Sequence, residues 1–224
     1  MSTGEKLDIS TLRTELARVA KITDAAERTL EVVAIIESVA APMGIHPVLV
    51  GGMAVYFWTE NEAFLSHDID VIMEVPDSLA RTFAELGFAR GDARHWELPG
   101  SNVFLEAPSA DLDQGAVVVE VELSSGRQAR VLSRVDVLID RLDEFQATGH
   151  EVAAQQVFQL LSEVTEDERH ELGKRASDRR VTAILKRMQA LLERVATGGE
   201  TPDSGELHEI ARAALNAEYH SHGL

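Results

Sequence analysis

The chain has 224 residues, is 45% hydrophobic, and carries a net charge of −17 with no cysteine. That length and apolar content suit one globular domain with a helical extension, and the lack of cysteine excludes disulfides, thiolate nucleophiles and cysteine-held zinc. The acidic balance argues against a broad electrostatic grip on nucleic acid or an anionic membrane, and leaves room for a nucleotide brought in with magnesium or for a basic protein partner.

In chain order, residues 9–22 and 24–42 are predicted helices. Asp24 followed by Glu27 is a cap-like start, and Leu30, Val33, Ile36 and Val39 recur at helical spacing. Pro42 to Pro47 breaks the helix. Val48–Val50 is a predicted short buried strand leading to Gly51 and Gly52, with a helix expected from Met53 to Thr59. A loop over 61–66 precedes the main strand, 67–75. Pro76 opens a helix that Gly87 stops after Leu86. Residues 94–98 and 102–106 read as an antiparallel pair joined at Pro99-Gly100, followed by strands over 116–123 and 129–132. Beyond them the pattern is helical: 134–147, 151–162, 165–173, 176–196 and, after a linker over 197–205, 206–219. The expected fold class is α/β (α+β): a small mixed sheet flanked by helices over 1–135, and a helical C-terminal region over 136–224. No apolar run approaches the roughly 18 residues of a membrane span. The polar start of the chain does not read as a signal peptide, so a cytoplasmic location is expected.

The chemistry concentrates in two short stretches: Val48-Leu49-Val50-Gly51-Gly52-Met53-Ala54, and Ser66-His67-Asp68-Ile69-Asp70-Val71-Ile72-Met73. On a strand, side chains at i and i+2 share a face. Asp68 and Asp70 therefore point one way and Ile69, Val71 and Met73 the other, toward a core. At about 6 Å and an effective dielectric of about 20, two such charges repel by roughly 3 kcal/mol. A fold gains nothing from that unless a cation lies between them, and magnesium takes carboxylate oxygens while sharing its shell with substrate phosphates. Gly51 and Gly52 lack Cβ atoms, so backbone can approach a phosphate closely, and a helix starting just after them favours an anion at its N-terminus. As a bland alternative, the aspartates are solvated acids on an exposed strand and the glycines a tight turn.

Gly-Gly, a helix and then Asp-x-Asp on a strand resembles the nucleotidyltransferase superfamily, the DNA polymerase β-like fold. The wording "VLVGGMAV … SHDIDVIM" is most similar to small prokaryotic nucleotidyltransferase-like proteins, including toxin components of type IV toxin–antitoxin systems; the resemblance spans roughly residues 30–165. It implies Mg2+ (or Mn2+) held by Asp68 and Asp70, a nucleoside triphosphate as substrate, and Gly51 and Gly52 against its β- and γ-phosphates. It also implies a small hydroxyl near the phosphates, a place Ser66 takes, and a third carboxylate on a neighbouring strand that holds the metal or takes the acceptor's proton. Glu106, at the end of an apolar strand and two residues before Pro108, is favoured for that role; Glu120 and Glu122 compete. Arg141 stands where related toxins carry a phosphate-binding lysine, although a helix-surface ion-pair partner fits it nearly as well. Arg90, Arg94 and His95 flank the hairpin within reach of a substrate, with His95-Trp96 as an ordinary edge-strand pair for the bland reading.

Two departures from the pattern stand out. Phe64 lies where family members often have arginine, and Val152-Ala153-Ala154-Gln155-Gln156-Val157 carries glutamines where related toxins have a second acidic motif. The leading expectation is transfer of a nucleoside monophosphate to a hydroxyl acceptor: RNA or tRNA, a protein, or a small molecule. A cognate protein partner is part of the toxin-like resemblance. The alternatives are a catalytically silent binding or regulatory module and a metal-dependent phosphohydrolase.

Overall fold

The computed structural model describes residues 8–92 and 94–221, with side chains through 217. The chain divides after Ser133 into two compact units.

In the first unit, α1 (Ile9–Val19) starts at Asp8, whose carboxylate accepts the Ser10 N–H, and α2 (Ala25–Ala40) starts at Asp24, which accepts from Glu27. Both caps satisfy amide donors that the first helical turn leaves open. After a 3-10 turn come β1 (Val48–Leu49), α3 (Gly51–Thr59), β2 (Asp68–Ile72) and α4 (Asp77–Leu86). Then follow β3 (Ala89–Arg90), β4 (His95–Leu98), β5 (Val103–Glu106), β6 (Val118–Glu122) and β7 (Gln128–Leu132). These seven strands form one mixed sheet in the order β3-β4-β5-β2-β1-β7-β6. β1 runs antiparallel to β2 and parallel to β7, while β2 runs parallel to β5.

The sheet's core face is set by strict alternation. Ile69, Val71, Trp96, Val103 and Leu105 are all nearly fully buried, each flanked by more exposed residues. Phe83 of α4 meets Trp96 edge-to-face at 5.5 Å between ring centroids. Burying that many large apolar groups is the main force holding the helices to this face. The polar residues of β2, β4 and β5 are left on the other face.

In the second unit, α5 (Arg134–Thr148), α6 (Glu151–Glu163), α7 (Glu166–Asp178), α8 (Thr182–Ala196) and α9 (Ser204–Ser221) pack together. A fully satisfied capping box, Thr165 with Glu168, opens α7. Inside the unit, Arg175 and Asp136 form a buried ion pair, with Nε and Nη2 at 2.7 and 2.5 Å from one carboxylate oxygen. The Leu185, Met188, Leu191 stripe of α8 is buried in the unit.

Several boundaries differ from the sequence reading: α1 ends at Val19 rather than 22, β2 at Ile72 rather than 75, and three further differences are larger in consequence. α3 begins at Gly51, not Met53, so both glycines sit in its first turn. The break between α7 and α8 falls at 179–181, after Arg180 enters the left-handed region at φ +59°, and not near 174. The short edge strand β3 follows Gly87 and Phe88, too brief to show a period in sequence. Among the described residues, no helix is long and apolar enough to cross a membrane.

Candidate functional site

The site is built from the register of β2 and β5. Asp68 lies opposite Phe104 and Asp70 opposite Glu106. Paired residues on neighbouring strands project to the same face, so Asp68, Asp70 and Glu106 share the face opposite the buried one. On the next strand His95 lies opposite Glu106. A row therefore crosses three strands: Asp70, Glu106, His95.

Each acid has its own local support. The Ser66 hydroxyl accepts the Asp68 N–H at 3.2 Å, closing a turn just before β2. The carbonyl of Asp70 accepts the Val50 N–H at 2.9 Å, which ties β2 to the residue preceding α3. The Asp70 carboxylate fills the space where Gly51 lacks a side chain: a Cβ built on Gly51 would lie 2.1 Å from Asp70 Oδ2. Gly51 also takes φ +64°, a conformation that strains any residue with a Cβ. Gly52 approaches Ser66 in the same way, with 3.0 Å between a built Cβ and the serine Cβ. The glycine pair is thus explained by close approach to Asp70 and Ser66, two of the residues the sequence singled out. The N-cap residue of α3, Val50, makes no side-chain cap hydrogen bond.

Glu106 is half-buried, and its Oε2 lies 3.0 Å from His95 Nε2. The other ring nitrogen of His95, Nδ1, faces the carboxylate of Asp92 in a short contact. Asp92 is a residue the sequence reading did not single out; its only signal was the Gly91-Asp92 turn pair. The Asp92 hydrogen bond, followed by that of Glu106, holds the His95 imidazole above its ordinary value of 6.5. The same bond lowers Asp92 below the usual carboxylate range. Arg94 donates to the Pro108 carbonyl at 3.0 Å, just beyond the end of β5.

The other expected residues lie elsewhere. Glu120 and Glu122 are on β6, at the sheet edge and three strands from β2, and Glu120 pairs with Arg130 at 3.2 Å. Arg141 belongs to the second unit, on α5, where its guanidinium pairs with Asp140 and Glu144. Phe64 is buried in a 3-10 turn over Glu62–Phe64. Arg90 is an exposed residue of β3, the edge strand beyond β4.

Strand register puts three carboxylates on one face of the sheet, with Asp70 seated in a gap that a Cβ would close. Among the described residues, no three carboxylate or imidazole side chains already converge on one point. Asp70 lies over Gly51 and Glu106 is turned toward His95.

No protein-family model matches the chain, and no curated protein does. Among solved structures, the chain is similar to an antigenic nucleotidyltransferase-like protein from Paracoccidioides brasiliensis. The two share 15% identity at a TM-score of 0.51, over 83% of this chain and 98% of that one. The solution structure of the antibiotic-resistance factor ANT(2'')-Ia aligns at 14% identity and a TM-score of 0.42, over 85% and 100% of the two chains. The first likeness shows a nucleotidyltransferase-like fold, an α/β sheet flanked by helices.

Proposed function

We propose that this chain is a divalent-cation-dependent nucleotidyltransferase, moving a nucleoside monophosphate from a nucleoside triphosphate to a hydroxyl acceptor. The observation that carries this reading is the register that sets Asp70 beside Glu106 on the face already holding Asp68. Asp68, Asp70 and Glu106 would hold Mg2+ or Mn2+. Such an ion, when bound, neutralises charge on the triphosphate and lowers the barrier to displacement at phosphorus.

The chain's own residues supply the rest. The first turn of α3, at Gly51 and Gly52, would offer amide donors to the β- and γ-phosphates. The Ser66 hydroxyl lies against Gly52 and can donate to a phosphate oxygen while accepting the Asp68 N–H. In the reaction the acceptor oxygen forms a bond to the α-phosphorus. The bond from that phosphorus to the bridging oxygen breaks, and pyrophosphate leaves with the electron pair. The hydroxyl proton would pass to a carboxylate of the site, the role the sequence favours for Glu106. The acceptor is an RNA, a protein side chain or a small molecule; the net charge of −17 favours a cationic small molecule or a protein over a broad nucleic-acid surface.

A second reading, a silent binding module that could serve a cognate protein partner, draws on the buried Phe64 at a position where the family resemblance calls for arginine. One experiment separates the two. Thermal shifts are measured with each of the four nucleoside triphosphates, with and without Mg2+, on the wild type and on Asp68→Ala/Asp70→Ala. Ligand at a hundred times its Kd stabilises the native state by about 2.7 kcal/mol. A Mg2+-dependent rise with a nucleotide, lost in the double variant, supports the transferase. No shift under any condition supports the silent module. A phosphohydrolase would consume triphosphate without any acceptor.

A further inference from the structure

We infer that a groove in the first unit, between α1, the end of α4 and the β4–β5 turn, binds an elongated amphipathic dianion: an apolar chain with a carboxylate at each end. The groove has a volume of about 470 Å³, within the range of small-molecule sites, and shares no residue with the candidate functional site.

Three short stretches build the walls. Arg13, Ala17 and Ala20 recur at helical spacing, so one face of α1 forms the first wall, and Lys21 follows just past its end. Leu86 and Gly87 close α4, and the chain from Leu98 to Ser101 turns from β4 into β5. Three observations point to the ligand. First, an apolar strip runs between two cations. Arg13 and Lys21 are roughly 12 Å apart along the helix direction, at about 1.5 Å per residue. Ala17 and Ala20 lie between them, and Leu86 and Leu98 face the same groove. Second, Gly87, at φ +104°, has no side chain to fill the space: a Cβ built there would lie 3.5 Å from Arg13 Nε and 3.7 Å from Leu98 Cδ1. The guanidinium and the leucine therefore meet over Gly87, and charge adjoins the apolar wall. Third, no acid lines the groove, although the chain holds 38 aspartates and glutamates. Among the described residues, neither the Arg13 nor the Lys21 side chain makes a hydrogen bond or an ion pair. A cation beside a helix C-terminus is a modest stabiliser, which is the bland account of Lys21 at the end of α1 and of Arg13 at the end of α4. It does not account for the apolar strip left open between them, whereas a dianion with an apolar middle uses both.

The test is decanedioate, titrated into the full chain and followed by backbone amide shifts in proton–nitrogen NMR spectra. Succinate, which lacks the length, and decanediol, which lacks the charge, are the controls. Wild type, Arg13→Gln, Lys21→Gln and the double variant are compared; both residues are exposed, so the fold should persist, and circular dichroism confirms it. Decanedioate is expected to shift the amides of Ala17, Lys21, Gly87 and Ser101 saturably, and to bind more tightly than either control. An exposed charge pair is worth up to about fivefold in affinity, so each single variant should bind about two- to fivefold more weakly. The double variant should no longer distinguish decanedioate from decanediol. Absence of saturable shifts at these amides in the wild type overturns the inference, as does binding no tighter than that of either control. Equal binding by the wild type and the double variant overturns it too, and a lowered Tm in that variant would then assign the two cations to the helix ends alone. None of these outcomes bears on the proposed nucleotide site, which a separate set of residues forms.

Discussion

Gly51→Ala tests the construction of the site most directly. Two costs can be worked out separately. Gly51 takes φ +64°, and placing an L-residue in that region costs roughly 1–2 kcal/mol. The new Cβ would lie 2.1 Å from Asp70 Oδ2 and 2.8 Å from its Cγ. Asp70 must therefore leave its position, and an off-rotamer side chain costs of the order of 0.5–1.5 kcal/mol. The sum is about 1.5–3.5 kcal/mol, a fall in Tm of roughly 3–14 °C at ~2–4 °C per kcal/mol for a chain of this size. The assay is urea unfolding followed by circular dichroism in EDTA, so that no metal contributes. The steric part is isolated by a double-mutant cycle with Asp70→Ala. In that background the contacts to Oδ2 and Cγ vanish and only the 3.0 Å approach to the Asp70 Cβ remains. Gly51→Ala should then cost about 0.5–1.5 kcal/mol less than in the wild type. Equal costs in the two backgrounds would refute the placement of Asp70 in the gap left by Gly51.

Two further outcomes are expected. Arg175→Ala should destabilise the second unit by about 3–5 kcal/mol, because it leaves the Asp136 carboxylate buried without its guanidinium; urea unfolding measures it. In NMR titration of the metal-free protein, His95 should titrate above its ordinary 6.5, and Asp92→Asn should bring it down, since the Asp92 hydrogen bond is the largest cause of the shift. The sign for stability follows. A histidine whose folded-state value is raised stabilises the fold fully below its unfolded value, and that contribution is lost as pH rises from 6.5 through the folded value. The stability gap between wild type and His95→Gln should therefore narrow over that interval, read by chemical denaturation.

Much of the site was legible because it is local. Alternation over Asp68–Met73 marks a half-buried strand whatever the rest of the chain does, and the buried Ile69 and Val71 sit where that period puts them. The hairpin around Pro99-Gly100 was legible for the same reason, since turn chemistry and two short apolar runs are adjacent in sequence. The choice among Glu106, Glu120 and Glu122 was not local. Glu120 and Glu122 alternate with apolar residues and Glu106 ends an apolar run, and only the pairing of β2 with β5, across a helix and a hairpin, sets Glu106 beside Asp70. Asp92 was missed because its contact is made by side-chain rotation over a turn, which has no period. The start of α3 was placed two residues late because two glycines read as a break; in the fold their missing side chains admit Asp70 and Ser66, and the helix begins over them.

Placing three carboxylates on one face of the sheet has an electrostatic cost. Any two of them about 6 Å apart repel by roughly 3 kcal/mol at an effective dielectric near 20, in a chain that is already strongly acidic. A face of merely solvated acids would let the side chains splay into water and would need no particular neighbours. Instead, each of the three positions has a different neighbour. Ser66 caps the amide of Asp68, Gly51 clears a berth for the Asp70 carboxylate, and His95 holds Glu106. Two of these arrangements are themselves costly: Gly51 gives up backbone entropy to sit at φ +64°, and the ring of His95 gives up its freedom between two carboxylates. The perturbations separate accordingly: Gly51→Ala acts on Asp70, whereas His95→Ala acts on Glu106.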